Sequence, residues 1–83
     1  MNKVAFITGA SRGIGLSIAN ALNVNGYDVV GTARGVFEFS PVNQDSKMVA
    51  MQLDITSRDE VKNIPSVLKE LDLMPSIVIN NAG

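Results

Sequence analysis

The segment VAFITGASRGIG, residues 4–15, decides the fold of this chain. It opens with an apolar, β-branched run, which is typical of a strand buried on both faces of a parallel sheet. Gly9, Gly13 and Gly15 follow, and a helical pattern begins at about Gly13. Glycine lets a backbone turn sharply and approach a diphosphate, and a helix N-terminus favours an anion through its N–H groups and its dipole. The segment therefore predicts a nucleotide-cofactor site between a strand and a helix.

The next residues complete a βαβ unit. Apolar residues recur at four-residue spacing after the glycines, and Gly26 is placed to end the helix that this spacing predicts. The predicted apolar face consists of Ile14, Ile18, Leu22 and Ala21. Residues 28–33 then read as a second strand. A βαβ unit of about thirty residues is the context in which a glycine pattern becomes a specific signal.

The remainder of the chain predicts a loop, two strands and one helix. Residues 35–46 lack helical periodicity, so we expect a loop where a doubly wound sheet normally has a crossing helix. Residues 48–53 and 77–79 read as the third and fourth strands, separated by a helix that begins with a capping box of Ser57 and Glu60. Pro65 predicts a kink or a restart in that helix. Its predicted apolar face is Val61, Ile64, Leu68 and Leu71.

Composition limits the classes of function. The chain has 83 residues, 46% hydrophobic and 18% charged, which predicts one globular domain over residues 1–83. A net charge of −1 gives no reason to expect nucleic acid or an anionic membrane as a partner. The absence of cysteine and histidine argues against a transition-metal site. Because no secretory signal or membrane-spanning run is recognisable, we expect a cytoplasmic protein.

Three motifs carry a resemblance to a known family. They are Thr8-Gly9-x-x-x-Gly13-x-Gly15, Asp54-Ile55 after the third strand, and Asn80-Asn81-Ala82-Gly83 after the fourth. In this order and spacing the chain resembles the N-terminal half of a short-chain dehydrogenase/reductase, truncated after the last motif. The resemblance implies an α/β fold, a partial Rossmann domain with a four-stranded parallel sheet ordered 3-2-1-4 and two main helices. It also implies an oxidoreductase acting on an alcohol/carbonyl pair.

The resemblance further implies roles for individual residues in binding a nicotinamide dinucleotide. Asp54 would meet the adenine amino group, Ile55 would line the adenine pocket, and Asn81, Ala82 and Gly83 would lie beside the ribose next to the nicotinamide. The loop that would cradle the pyrophosphate consists of Gly9, Ser11, Arg12, Gly13, Ile14 and Gly15. The residues alone leave a structural role open for Asp54 and the two asparagines, since all three residues commonly form turns.

Charge indicates which dinucleotide fits. NAD enzymes place a carboxylate about twenty residues past the glycine turn, whereas the corresponding stretch here is Thr32-Ala33-Arg34. Arg34 and Arg12 are placed to pair around a 2′-phosphate, so we expect NADP rather than NAD. The alternative is that both arginines are ordinary surface charges.

Other phosphate-binding classes match less well. A P-loop requires Lys and then Ser or Thr after its last glycine, but Ile14 follows Gly13. The G-x-G-x-x-G pattern of larger dehydrogenases would need glycine at position 18, which is Ile18.

No catalytic residue is assigned. The family uses a tyrosine, a lysine four residues later and a serine, all downstream of the Asn-Asn-Ala-Gly motif. The one tyrosine here, Tyr27, is followed at that spacing by Gly31. We therefore expect these 83 residues to position a cofactor without turnover.

A second hypothesis is a non-enzymatic assembly module. In the family order the fourth strand, Ile77-Val78-Ile79, would leave one apolar edge unpaired. Such an edge predicts a homo-oligomer, most simply a twofold dimer.

Overall fold

The computed structural model describes residues 2–41 and 43–81, and in this part of the chain it contains four strands and two helices. In chain order they are β1 (Val4–Thr8), α1 (Gly13–Val24), β2 (Asp28–Ala33), β3 (Met48–Gln52), α2 (Arg58–Glu70) and β4 (Ile77–Ile79). All strand pairs are parallel, and the sheet order is β3-β2-β1-β4. The predicted α/β fold, sheet order and helices are confirmed.

The central strand β1 pairs with β2 on one side and with β4 on the other. Phe6 lies opposite Val30 in β2 and opposite Val78 in β4. The chain therefore reaches one edge of the sheet at β3 and returns to the opposite edge at β4. In open parallel sheets the point where the strand order reverses is where a crevice forms at the carboxyl ends of the strands.

The sheet has one hydrophobic cluster on each face. Successive strand residues point to opposite faces, so alternate residues of one strand enter different clusters. The cluster on the α2 face consists of Val4, Phe6, Val30, Leu53, Leu68 and Leu73. The cluster on the α1 face consists of Ile7, Ala10, Ala19 and Val29. The two helices thus cover opposite faces, as a doubly wound sheet requires.

Helix α1 contacts the rest of the protein through smaller residues than the sequence predicts. Its buried residues are Gly15, Ala19 and Asn23, four apart along one line. Ile18 and Leu22 pack against the core from the side, but Ile14 is 72% exposed and Ala21 is also exposed. The predicted face is therefore wrong for Ile14 and Ala21. At Gly15 the backbone of α1 lies so close to the Gly9 carbonyl that no side chain fits.

The segment 35–46 is a loop, as predicted, within its described residues. Phe39 packs on the α1 face of the sheet and makes an edge-to-face contact with Phe37, with ring centroids 5.2 Å apart. A Cβ at Gly31 would lie 2.4 Å from the Phe39 ring, so this glycine makes room for it. One aromatic side chain thus covers sheet surface where a crossing helix normally lies.

A buried polar cluster fastens the other end of this loop to α1. Asn23 is fully buried, and its amide nitrogen donates to Ser46 Oγ at 2.9 Å and to the Tyr27 carbonyl at 3.2 Å. Its amide oxygen accepts from the Asn43 backbone N–H at 3.2 Å. The Asn23 carbonyl also accepts from the side chains of Asn43 and Ser46. Sequence patterning did not identify Asn23 as a core residue.

Helix α2 begins at the predicted cap but departs from the prediction in detail. Ser57 Oγ accepts from the Glu60 backbone N–H, whereas the Glu60 carboxylate accepts from the Asp54 N–H instead of completing a capping box. The helix runs through Pro65 without a restart. Val61 and Leu71 are 40% and 44% exposed, so the buried face is narrower than predicted. β3 ends at Gln52, one residue before the predicted end.

Neither helix in the described ranges has the length and apolar character needed to cross a membrane.

Candidate functional site

A cavity of about 440 Å³ lies where the carboxyl ends of β1, β2 and β3 meet. Four predicted site residues line it: Gly9, Arg12, Arg34 and Ile55. Of the four further lining residues, Thr32 and Ala33 belong to the stretch that was compared with the NAD carboxylate position, whereas Leu53 and Thr56 were not singled out from the sequence. The signal that identifies them is the parallel sheet itself, because neighbouring parallel strands end at the same edge.

The glycine turn borders this cavity, and its three glycines serve two purposes. Gly9 and Gly13 have φ of 64° and 63°, a left-handed conformation that other residues rarely adopt. Gly15 is needed for space, since a Cβ there would lie 2.0 Å from the Gly9 carbonyl oxygen. The Ala10 N–H donates to the Thr32 carbonyl at 2.9 Å, which fastens the turn to the end of β2.

The N-terminus of α1 is arranged differently from that of α2. No side chain caps α1, and no acidic residue lies in its first turn. α2, in contrast, has the Ser57 cap and both Asp59 and Glu60 in its first turn. Uncapped N–H groups and the helix dipole together favour an anion. The chain thus neutralises one helix N-terminus with its own side chains and leaves the N-terminus beside the cavity open to a ligand anion.

The cavity carries positive charge. Arg12 and Arg34 are exposed and line it, and no acidic side chain is among its lining residues in the described part of the chain. The Arg34 carbonyl accepts from the Gln52 side chain at 3.0 Å, which ties the end of β2 to β3. A guanidinium group matches phosphate in charge and planar geometry, so the donor set fits a phosphorylated ligand.

Asp54 lies between two lining residues, at the exit from β3. Its Oδ1 accepts from the Thr56 backbone N–H at 2.9 Å and from Thr56 Oγ1 at 2.6 Å. These hydrogen bonds lower the pKa of Asp54; desolvation opposes them more weakly, and the positive charge of Arg34 adds the smallest lowering. The carboxylate is thus held in its charged form, which can only accept hydrogen bonds.

The end of β4 is hydrogen-bonded to the glycine turn. Asn81 Nδ2 donates to the Gly9 carbonyl at 3.1 Å, and the Asn81 N–H donates to Thr8 Oγ1 at 3.0 Å. Thr8 Oγ1 also donates to Asn80 Oδ1 at 3.2 Å. Asn81 therefore holds the turn in place from the side of β4.

The other predicted site residues do not line the cavity. Ser11 is half-buried and Ile14 exposed, both in or next to the turn. Ala82 and Gly83 lie outside the described residues.

Comparisons with known proteins agree with this geometry. A family model described as short chain dehydrogenase matches residues 3–83. Dehydrogenase/reductase SDR family member 11 of Gallus gallus is 33% identical over 98% of this chain and 34% of its own length. A metagenomic short-chain oxidoreductase solved in complex with NADP has a TM-score of 0.84 and 34% identity, covering 98% of this chain and 39% of that one.

A second solved structure, a short chain dehydrogenase from Leptospira borgpetersenii with bound NAD+, has a TM-score of 0.83 and 28% identity. The match covers all of this chain and 32% of that one. The chain thus spans about a third of the length of the relatives it matches.

Proposed function

The chain belongs to the short chain dehydrogenase family, and on this basis we propose that it forms the NADP(H)-binding part of an oxidoreductase that interconverts an alcohol and a carbonyl compound. The observation that carries the proposal is the cavity beside the uncapped α1 N-terminus, lined by Arg12 and Arg34. A nicotinamide dinucleotide has an anionic pyrophosphate, which matches the α1 N-terminus, and an adenosine half, which matches the cavity. When bound, it supplies the hydride chemistry.

The proposed roles follow the position of each residue. The backbone from Gly9 to Gly13 receives the pyrophosphate, because its N–H groups lie at the start of α1. Ile55 supplies apolar surface to the adenine ring, and Asn81 keeps the turn in the shape that the ligand requires.

The preference for NADP over NAD rests on charge at the end of β2. A carboxylate there would accept hydrogen bonds from a ribose 2′-hydroxyl and repel a 2′-phosphate. This chain instead has Arg34 beside Thr32 and Ala33, with Arg12 on the same cavity. The two solved relatives were described with NADP in one case and NAD+ in the other. The proposed preference of this chain for NADP therefore rests on Arg12 and Arg34 and not on its relatives.

Calorimetric titration with NADPH and NADH tests the proposal. We expect the wild-type chain to bind NADPH more tightly. Arg34→Gln should weaken NADPH binding by about tenfold or more, because a charge-assisted hydrogen bond to phosphate is lost. The affinity for NADH, which lacks the 2′-phosphate, should change little.

Arg58→Gln is the matched control. Arg58 starts α2, is exposed and does not line the cavity, so its removal should leave both affinities unchanged. Equal wild-type affinity for the two dinucleotides, or tighter binding of NADH, would contradict the assignment of NADP. No binding of either dinucleotide would contradict the proposed function itself.

We further propose that residues 1–83 bind the cofactor without transferring hydride. These residues contain no Tyr-x-x-x-Lys pair and no histidine to act as a general base. Incubation of the 83-residue chain with NADPH and a panel of ketones and aldehydes should give no oxidation of the cofactor. A measurable rate that disappears on replacing Gly13 with a bulky residue would refute this.

Self-association is a second candidate function. β4 pairs with β1 on one side only among the described residues, and Val78 is 67% exposed. We propose that a second copy of the chain pairs with this strand in a twofold dimer, which would cover the apolar edge. Sedimentation at micromolar concentration distinguishes the dimer from a monomer.

A further inference from the structure

Ala10 is the residue that anchors the glycine turn to the sheet. It is fully buried, and its N–H donates to the Thr32 carbonyl at 2.9 Å. Gly9, just before it, lines the cavity, and α1 begins shortly after it at Gly13. The position of the turn therefore depends on what packs against Ala10.

The Phe39 ring packs at this place, on the α1 face of the sheet. It is half-buried against the apolar cluster that contains Ala10, and it fills the space left by the missing side chain of Gly31. A Cβ at Gly31 would lie 2.7 Å from Ala10 Cβ and 2.9 Å from Phe39 Cε2. The ring and Ala10 thus share the hollow above Gly31, and the ring supports the turn from behind.

The loop that carries Phe39 is held at both of its ends. It starts after Arg34, which lines the cavity. Its far end is hydrogen-bonded to Asn23 of α1, through the Asn43 N–H and the Ser46 hydroxyl. Because packed side chains transmit a change in volume to their neighbours, we expect a change at the ring to reach the turn.

We infer that Phe39 is a positioning residue that holds Ala10, and through it the glycine turn, in the shape that receives a pyrophosphate. This inference deepens the proposed function and rests on it. Phe39 is not among the residues of the described ranges that line the cavity, so it acts through the turn and not on the ligand. Because NADPH and NADH share the pyrophosphate, Phe39 affects the binding of both equally.

Calorimetric titration of the 83-residue chain with NADPH and NADH tests the inference. Phe39→Ala empties the space beside Ala10, and the affinity for both dinucleotides should fall by the same factor, on the order of tenfold, a usual size for coupling between sites. Phe39→Leu keeps an apolar side chain in the hollow and should retain most of the affinity. The equal loss differs from the effect of Arg34→Gln, which should weaken NADPH binding alone.

Ile64→Ala is the matched control. Ile64 is also a half-buried apolar side chain, but it packs against the cluster on the opposite face of the sheet. This variant should lose stability, as Phe39→Ala does, and should keep both affinities. Thermal unfolding defines the temperatures at which the variants are folded, and the titrations are made below them.

A second measurement uses the wild-type chain and does not depend on the folding of a variant. Coupling is reciprocal, so a ligand that requires the supported turn should also stabilise the packed position of the ring. Hydrogen exchange in residues 37–39 should therefore slow when NADPH binds, although none of these residues lines the cavity. Exchange in residues 67–70, which proceeds by fraying at the end of α2, should change little.

Tight binding of both dinucleotides by Phe39→Ala, at the wild-type level, would overturn the inference and leave the proposed function standing. A loss confined to NADPH, or an equal loss in Ile64→Ala, would also overturn it, because the ring would then act at the 2′-phosphate or through stability alone. If Phe39→Ala does not fold, unchanged exchange in residues 37–39 on NADPH binding overturns the inference. Absence of wild-type binding of both dinucleotides would overturn the proposed function and this inference together.

Discussion

At the scale of single residues, the glycine motif combines two unrelated demands. Gly9 and Gly13 adopt left-handed backbone conformations, which allow the chain to turn from β1 into α1. Gly15 lies inside the helix and has no such conformation, but its missing side chain lets α1 lie against the Gly9 carbonyl. The first two therefore shape the turn, and the third sets the distance between helix and turn.

Replacing Gly15 with alanine should destabilise the protein and weaken dinucleotide binding. The new Cβ would lie 2.0 Å from the Gly9 carbonyl oxygen and 2.7 Å from Asn81 Nδ2, and the first of these atoms is backbone that cannot rotate away. We expect a loss of about 2 to 3 kcal/mol in the free energy of unfolding, as for overpacked cores. Urea denaturation measures it. Gly35→Ala is the control: nothing lies within 4 Å of its added Cβ, so stability should hardly change.

Asp54 should contribute a pH-dependent part of stability. Its pKa in the folded protein is below the ordinary value of 3.8, chiefly through the Thr56 hydrogen bonds. The folded state therefore binds a proton less readily than the unfolded state, and the contribution is fully present above the ordinary pKa. It is lost as the pH falls from that value through the lower pKa of the folded protein.

Unfolding experiments over a series of acidic pH values check this prediction. The wild type should lose more stability on acidification than Asp54→Asn, which has no proton to bind at this position. Parallel curves for the two proteins would show that Asp54 does not carry the effect.

At the scale of elements, the N-termini of the two helices differ in capping. α2 is closed at its N-terminus by Ser57 and two acidic residues, whereas α1 starts at the cavity with neither. The loop after β2 has no regular secondary structure, but contacts with the rest of the protein hold it in place. It is held by Phe39 on the sheet and by Asn23 at the C-terminal end of α1.

Asn23→Ala should loosen this loop and destabilise the fold. The change removes the side-chain donor to the buried Ser46 Oγ and the acceptor of the Asn43 N–H, whereas the Asn23 backbone carbonyl keeps its hydrogen bond from the Ser46 hydroxyl. Leaving such groups without hydrogen bonds costs about 2 to 4 kcal/mol in total. Denaturation should show that loss, and hydrogen exchange should show faster exchange in residues 43–47. Asn63→Ala, an exposed change within α2, is the matched control and should have little effect.

At the scale of the whole molecule, the sheet has two edge strands, β3 and β4, each paired on one side only among the described residues. Helices and the 35–46 loop cover β1, β2 and β3, whereas Val78 in β4 is 67% exposed. Strand edges of this kind attract other strands, and charged residues are the usual protection against that. No charged residue lies in β4.

Val78→Lys should shift the proposed dimer towards monomer, because a charge would then have to be buried in the interface. Sedimentation velocity at micromolar concentration measures the shift. Val36→Lys serves as the control, since Val36 is 86% exposed in the loop and far along the chain from β4. A wild type that sediments only as a monomer would remove the self-association proposal, and equal dimer content in both variants would place the interface elsewhere.

The sequence alone was sufficient for the strands, the helices and their order. Local patterns carried this information: an apolar run for β1, four-residue spacing for the helices, and the Ser57 cap for α2. The cavity residues Gly9, Arg12, Arg34 and Ile55 were also identified from motifs, in the segments that follow β1, β2 and β3. These features depend on residues that are close together in the chain, and for this reason they can be predicted from the sequence.

Contacts between distant segments were decided only by the tertiary structure. Burial of Asn23 depends on Asn43 and Ser46 coming back to α1, and Ile14 is exposed because α1 buries the line of Gly15, Ala19 and Asn23 instead. Likewise, Thr32 and Thr56 face one cavity because β2 and β3 end at the same edge of the sheet. These partners contact each other because their shapes and hydrogen-bonding groups match when the segments pack together. The periodicity of residues along the chain does not indicate which distant residues will meet.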